Sequence, residues 1–188
     1  MPENKKIDVL WDDNPVDVTQ EANFIWSIAN KLRGTYMPDK YGDVIIPMTI
    51  IRRFECALEE SKNKVVEMYK NNPTYPARMF EKASGFQFYC TSEYSLKELC
   101  NDSDHLAENF KSYIEGFSAN VQNIMKELDL NVHIDKMNKG GCLLTVVKAF
   151  SELDLNPNRN IDCSRMHMVF RYKHENQPDV RLFVLQHQ

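Results

Sequence analysis

The sequence lacks long apolar runs, paired cysteines and a positive net charge. No run approaches the roughly 20 apolar residues of a membrane helix, and the polar N-terminus has no apolar signal-peptide core. The five cysteines are scattered and never form a C-x-x-C pair. That pattern indicates reduced thiols rather than a disulfide framework or a zinc site. We therefore expect a cytoplasmic protein that does not associate with membranes.

The charge balance gives no general attraction to nucleic acid. The chain has 188 residues and a formal net charge of −4. Hydrophobic residues make up 43% and charged residues 27%, which is the composition of an ordinary folded domain. Any contact with DNA would therefore need a local basic face.

Residues 23–56 predict two helices joined by a short polar elbow. In the first helix, four apolar residues recur on one face: Ile25, Ile28, Ala29 and Leu32. Gly34 is placed to end this helix. The second helix is expected to start near Asp43, with Pro47 tolerated because it lies close to the first turn. Its buried residues are expected to be Ile50, Phe54, Ala57 and Leu58.

Helical periodicity continues along the chain, with proline and glycine breaks at short intervals. Further helices are expected to start at Pro76, Ser95, Asp102 and Ser118, and another follows Gly140-Gly141. About eight to ten helices with short connections predict an all-α fold, an irregular multi-helix bundle. The expected core includes Ile28, Leu32, Phe54, Leu58, Phe110, Ile114, Leu144 and Val147.

Six separate motifs resemble a known family. Three lie near the N-terminus: Ile25-Trp26-Ser27-Ile28-Ala29-x-x-Leu32-Arg33-Gly34, Tyr41-Gly42-x-Val44-Ile45-x-Pro47 and Arg52-Arg53. Three follow: Phe88-Tyr89-x-Thr91-Ser92-x-Tyr94-x-Leu96, Tyr113-Ile114-x-Gly116-Phe117-Ser118-x-Asn120-Val121 and Asp154-Leu155-x-Pro157. In this order, from about Phe24 to Phe170, they resemble the N-terminal helical domain of the DNA methyltransferase (M) subunit of type I restriction-modification systems.

The resemblance implies a subunit of a site-specific adenine-N6 DNA methyltransferase that uses S-adenosylmethionine. It also implies contacts with DNA in the assembled complex, with the specificity subunit and with neighbouring M subunits. The six glycines never form G-x-G after a strand, where backbone could approach the cofactor closely. No Asn-Pro pair continues into the Pro-aromatic pair that would hold a flipped adenine. We therefore expect no cofactor site in this chain, and no methyl transfer by the chain alone.

Five basic residues of the opening helix pair are candidate contacts with DNA or a partner: Lys31, Arg33, Lys40, Arg52 and Arg53. Lysine and arginine are the side chains that bind phosphate most often. A structural alternative stays open for each arginine. Arg33 could instead bond helix-terminal carbonyls, and Arg52 or Arg53 could form a salt bridge within the bundle, since both cannot point into the core.

Other candidate sites have weaker support. Cys163 and His167 share a helical spacing and His174 follows, but a structural zinc site needs about four ligands. His105 and His133 are expected on polar helix faces without a nearby nucleophile. Trp26 is expected in the core rather than as a platform for stacking bases.

We divide the chain into an arm (residues 1–18), a helical domain (residues 19–170) and a divergent tail (residues 171–188). Val9-Leu10-Trp11 in the arm is expected to dock on the bundle. The tail carries the apolar run Leu182-Phe183-Val184-Leu185, and a truncated or shifted reading frame would explain its divergence. Two functions compete. One is a DNA- and subunit-contacting domain that lacks the catalytic domain; the other is a free-standing helical protein-interaction module without DNA binding.

Overall fold

The computed structural model describes residues 19–156, with side chains from residue 22 onward. In this range the chain forms nine α-helices, a short 3-10 turn at Pro38–Lys40 and only isolated β-bridges. The helices are α1 (Thr19–Leu32), α2 (Gly42–Ala57), α3 (Lys62–Asn71), α4 (Ala77–Ser84), α5 (Leu96–Leu99), α6 (Leu106–Glu115), α7 (Ala119–Glu127), α8 (Leu130–Lys139) and α9 (Leu143–Ser151). The predicted all-α bundle is confirmed.

Several predictions concern residues that the structure does not describe. The arm with Val9-Leu10-Trp11, the tail of residues 171–188 and the Cys163, His167 and His174 group lie outside the described residues. The boundaries of the three predicted segments therefore stay predictions. In the described part, no helix is long and apolar enough to span a membrane.

Helix ends follow the predicted signals at α4 and α5. Helix α4 begins after Pro76 and ends at Gly85, whose φ of 80° is easily reached only by glycine. Helix α5 is capped by the side chain of Ser95. The Ser95 hydroxyl accepts the Glu98 backbone N–H at 3.2 Å and donates to the Glu98 carboxylate at 2.7 Å.

No glycine marks the break between α7 and α8 in the sequence. Asp129 adopts a left-handed conformation there, with φ of 51°, which an aspartate tolerates better than most residues. In the sequence, the helix that starts at Ser118 has one apolar stripe of Val121, Ile124, Met125 and Leu128, and periodicity does not predict a separate α8 after it. Val121 and Met125 are buried, whereas Ile124 is exposed.

Six of the eight predicted core residues are buried: Ile28, Leu32, Leu58, Phe110, Ile114 and Val147. Two predictions were wrong, because Phe54 is half-buried and Leu144 is 36% exposed. Helix α9 buries Leu143, Val146, Val147 and Phe150 instead. Leu144→Ala should therefore cost less than the loss of about 2–5 kcal/mol that is typical of a fully packed leucine.

The buried face of α2 also differs from the prediction. Ile50 and Ala57 are half-buried, and the apolar residues turned inward are Val44, Ile45, Pro47, Met48, Ile51 and Cys56. Residues 44–51 are almost all apolar, so periodicity could not select one face. The packing of α2 against α8 and α9 made the choice. Trp26 was also wrongly expected in the core and is 56% exposed.

Two of the family-like motifs hold each other in place. The Thr91 backbone N–H donates to the Gly116 carbonyl at 2.8 Å, and the Ser118 N–H donates to the Tyr89 carbonyl at 3.0 Å. A Cβ on Gly116 would lie 2.6 Å from the Cβ of Ser92. The loop before α5 is thereby fixed to the joint between α6 and α7, and only glycine fits there.

Candidate functional site

The structure separates the five candidate basic residues into three places. Arg33 and Lys40 are exposed where the end of α1 and the 3-10 turn face α8. Lys31 is exposed along the groove between α1 and the end of α9. Arg52 and Arg53 are half-buried on α2. The five residues that were predicted as one set therefore lie in three different environments.

Arg52, Glu55 and Arg53 form what we call the polar latch, which holds the chain after α9. The Nε atom of Arg52 donates to the Leu153 carbonyl at 2.7 Å, and Nη1 contacts the Glu55 carboxylate at 2.6 Å. Arg53 Nη1 donates to the Leu155 carbonyl at 2.6 Å. Both guanidinium groups thus bind acceptors within the molecule. Contact of either with DNA stays a prediction.

Glu55 connects the polar latch to the core. Its side chain is 9% exposed, and Oε1 accepts the Leu96 backbone N–H at the start of α5 at 2.7 Å. The fully buried Tyr113 hydroxyl is also hydrogen-bonded to Glu55. Burial, followed by the charge of Glu55, raises the pKa of Tyr113 well above its ordinary value. A carboxylate with these partners is compensated despite its burial.

Four exposed cations, Arg33, Lys40, Lys136 and Lys139, form what we call the basic rim. The end of α1 reaches the end of α8 because Gly140 packs on Thr35; a Cβ on Gly140 would lie 2.4 Å from the threonine Oγ1. Lys136 Nζ lies 4.1 Å from the centroid of the Tyr36 ring, a cation–π contact. The segment after α1 and the last turn of α8, which carry these four cations, are therefore adjacent.

The cations of the basic rim have few partners. Lys40 pairs with Asp43 at 3.5 Å, and both side chains are about half exposed. Arg33 donates to the side-chain oxygen of Asn30 at 3.2 Å, rather than to the helix-terminal carbonyls. Among the described residues, Lys136 and Lys139 form no ion pair. Exposed cations of this kind can reach phosphate oxygens without breaking buried contacts.

Tyr36 and His133 lie under the basic rim. The Tyr36 hydroxyl is 3.2 Å from Nδ1 of His133 and donates to the His133 carbonyl at 3.2 Å. Burial is the main cause that raises the pKa of Tyr36 to about 12. Burial also lowers the pKa of His133, and the charges of Lys136 and Lys40 add to that effect against Asp43 and Asp129. His133 is therefore half-buried beside the rim, not on an isolated polar face.

Sequence reasoning missed Lys136 and Lys139. They occupy the last turn of α8, where a lysine is usually explained by the helix dipole. Their only sequence signal is the Gly140-Gly141 pair that follows. Because Arg33 and Lys136 are about a hundred residues apart, only the packing of Gly140 on Thr35 reveals that their segments are adjacent.

A second surface, which we call the aromatic face, lies on and beside the α3–α4 hairpin. Its exposed large side chains are Tyr69, Tyr75, Met79, Phe86 and Tyr94. Next to it a groove of about 710 Å³ is crossed by an ion pair between Lys70 and Glu93 at 2.8 Å. Positions 59–98 hold six basic and six acidic residues. Unlike the basic rim, this surface is apolar and balanced in charge.

Residues 19–156 offer neither a metal-ligand cluster nor the strand–loop–helix unit that commonly holds S-adenosylmethionine. No group of three histidine, cysteine or acidic side chains in residues 19–156 could hold a metal ion. In the same range no glycine follows a β-strand, so the strand–loop–helix unit that brings backbone close to such a cofactor is not present there. Whether the chain takes a cofactor stays a prediction.

Comparison with known proteins gives one match. A family model described as the HsdM N-terminal domain matches residues 22–150. The match covers five of the six motifs that carried the resemblance. Neither the curated proteins nor the solved structures gave a match.

Proposed function

The chain belongs to the HsdM N-terminal domain family, the N-terminal domains of type I restriction-modification M subunits, and on that premise we propose that its basic rim contacts DNA phosphates in the assembled complex. The supporting observation is that the segment after α1, which carries the exposed Arg33 and Lys40, packs on the end of α8, which carries the exposed Lys136 and Lys139, in a net negative chain. Contacts to phosphate fix position and carry no sequence information. The recognition sequence would therefore be read elsewhere in the complex.

The basic rim is too small for tight binding by this chain alone. Each neutralised phosphate contributes a slope of about −0.9 to the dependence of log affinity on log salt. Non-specific complexes have dissociation constants of about 10⁻⁴–10⁻⁶ M at physiological salt. With four cations, one of them paired with Asp43, we expect binding at the weak end of that range or poorer.

The test measures binding of a labelled DNA duplex by anisotropy in a salt series that begins at low salt. We expect Lys136→Ala plus Lys139→Ala to weaken binding and to reduce the salt slope by about 1.8, the share of two phosphate contacts. The matched control is Lys97→Ala plus Lys126→Ala, which removes two exposed lysines from α5 and α7. If both double variants behave alike, the basic rim is not the DNA contact.

The aromatic face is the part of the proposal that concerns subunit contacts. Tyrosine, phenylalanine and methionine are enriched at protein interfaces, whereas charged residues are depleted from their centres. The balanced charge of this region suits a protein partner better than a nucleic acid. We assign it to the specificity subunit or a neighbouring M subunit in the reconstituted complex.

The same observation favours a second candidate function, a protein-interaction module without DNA binding. The two functions are separated by one pair of results. If the chain binds no duplex even at low salt, while Tyr75→Ser plus Met79→Ser disrupts assembly with the other subunits, the interaction module is the better description. If the Lys136→Ala plus Lys139→Ala variant changes the salt slope, the DNA-contacting domain is the better description.

We further propose that this chain is catalytically incomplete by itself and takes S-adenosylmethionine only as part of a complete subunit. The support is the missing cofactor loop and Asn-Pro-Pro-aromatic motif in the sequence and the all-helical architecture of residues 19–156. Calorimetry of the purified chain with S-adenosylmethionine is expected to show no binding heat. Micromolar affinity would contradict this part of the proposal.

A further inference from the structure

The elbow between α1 and α2 exposes an apolar side chain in the segment that carries Arg33 and Lys40. Met37 is 69% exposed, more than any other large apolar side chain of residues 22–156. Pro38 beside it is exposed as well. A single exposed apolar residue is ordinary on a protein surface. What sets Met37 apart is how its backbone is held and which charges surround it.

Hydrogen bonds fix the backbone on both sides of Met37. Before it, the N–H groups of Thr35 and Tyr36 donate to the Leu32 carbonyl at 3.1 and 3.0 Å. After it, the Lys40 N–H donates to the Met37 carbonyl at 2.9 Å. Met37 is extended, with φ of −73° and ψ of 152°, a conformation that the proline after it favours. The methionine is therefore presented on a fixed turn rather than on a loose loop.

Tyr36 anchors the elbow to the bundle. Its side chain is 5% exposed, its hydroxyl donates to the His133 carbonyl at 3.2 Å, and Lys136 lies over its ring. The side chains of Tyr36 and Met37 thus face opposite ways, one into the bundle and one into solvent. A force on Met37 would be transmitted to a buried, hydrogen-bonded neighbour.

Cations outnumber acids around this elbow. The four cations of the basic rim stand against two acids in residues 33–43, Asp39 and Asp43. Asp43 is paired with Lys40, and Asp39 is exposed. An apolar tip on a positive surface is complementary to a DNA duplex, which has phosphates outside and apolar base faces within.

The size of the apolar tip favours DNA over a protein partner. The buried centre of a protein interface is an extended apolar patch rich in aromatic residues, whereas the tip consists of Met37 and Pro38. Methionine and proline are among the side chains that proteins insert between base pairs from the minor groove. One such residue is enough to unstack a base step.

We propose that Met37 is a wedge that enters the minor groove and unstacks one base step, while cations of the basic rim contact phosphates on either side. This inference rests on the proposed DNA contact and adds a deformation of the duplex to it. Unstacking costs least at flexible pyrimidine–purine steps such as TA. The wedge therefore favours deformable DNA without reading bases through hydrogen bonds.

The test measures unstacking with 2-aminopurine, whose fluorescence rises when it leaves the base stack. The probe is an alternating T·A duplex with 2-aminopurine in place of adenine at its central TA steps, mixed with the full chain at low salt. We expect the parent chain to raise the fluorescence, Met37→Leu to retain the rise and Met37→Ala to abolish it. The matched control is Val132→Ala, which truncates another exposed apolar side chain, on α8. This control should retain the rise.

Anisotropy of the same duplex separates the wedge from the DNA contact itself. A thioether neutralises no phosphate, so Met37→Ala should leave the slope of log affinity against log salt unchanged, whereas Lys136→Ala plus Lys139→Ala should reduce it. Circular dichroism checks that each variant is folded. Binding without a fluorescence rise, or a rise that persists in Met37→Ala, would overturn the wedge and leave the basic rim as a contact to phosphates alone. No binding at low salt would overturn the DNA contact and the wedge with it.

The choice of groove has its own test. Duplexes of alternating I·C and G·C pairs are alike in the major groove and differ by the guanine N2 amino group in the minor groove. Because that amino group obstructs the minor groove, Met37→Ala should weaken binding to the I·C duplex more than to the G·C duplex. Equal weakening would contradict entry from the minor groove.

Discussion

The polar latch and the basic rim use the same residue types for opposite purposes. In the latch, Arg52 and Arg53 donate to backbone carbonyls and a carboxylate at 2.6–2.7 Å. In the rim, Arg33 reaches one amide oxygen at 3.2 Å and otherwise faces solvent. All three arginines belong to family-like motifs near the N-terminus. The comparison shows that the role of an arginine in a motif depends on which hydrogen-bond acceptors its guanidinium group can reach.

The energetics of the two regions differ for the same reason. Removing one partner of a buried ion pair leaves an uncompensated charge in a medium of low polarity. An exposed charge loses little when its neighbour is removed, because water and salt already screen it. The polar latch should therefore respond to mutation through stability, and the basic rim through binding.

The largest effect is expected at Glu55. Glu55→Ala should lower the free energy of unfolding by about 3–5 kcal/mol, because Arg52 and the Leu96 N–H both lose a buried acceptor. The control, Glu93→Ala, breaks an exposed pair with Lys70 and should cost at most about 1 kcal/mol. Urea unfolding followed by circular dichroism measures both. Equal losses would mean that Glu55 is not the centre of the latch.

The second largest effect on stability is expected at Arg52 of the polar latch, and we compare it with Arg33 of the basic rim. Arg52→Ala should cost about 1–3 kcal/mol, since the Leu153 carbonyl loses its side-chain donor and Glu55 loses its ion-pair partner. Arg33→Ala should stay within about 0.5 kcal/mol of the parent protein. The same urea experiment applies. If Arg33→Ala were as costly as Arg52→Ala, the distinction between latch and rim would fail.

The smallest effect is a pH dependence beside the basic rim. The folded protein lowers the pKa of His133 below its ordinary value of 6.5, so the unfolded chain takes up this proton first. Stability should therefore fall as pH drops through 6.5 towards the lowered folded value, and His133 should contribute no such change above 6.5. Thermal unfolding between pH 5 and 8 is expected to show less of this decline in His133→Gln. His105→Gln is the control, because His105 is an exposed residue at the start of α6.

The amino-acid sequence alone was sufficient to predict the helices and the family. The four-residue stripe of α1 is buried as predicted, and Pro76, Gly85 and Ser95 mark helix ends that the structure has. These features depend on residues within one or two turns of each other. The family-like motifs are likewise short stretches that can be recognised without knowing what they touch.

The tertiary structure decided which face each uniformly apolar helix buries and what each cation does. Leu144 and Phe54 were assigned to the core by periodicity, but α2 and α9 offer apolar residues on more than one face, and packing chose between them. Arg52 and Arg53 find their acceptors at Leu153 and Leu155, about a hundred residues away. Lys136 lies over the Tyr36 ring because Gly140 leaves room for Thr35 and so lets α8 approach the segment after α1. Helix formation depends on local sequence, whereas burial and hydrogen-bond partners depend on contacts between distant parts of the chain.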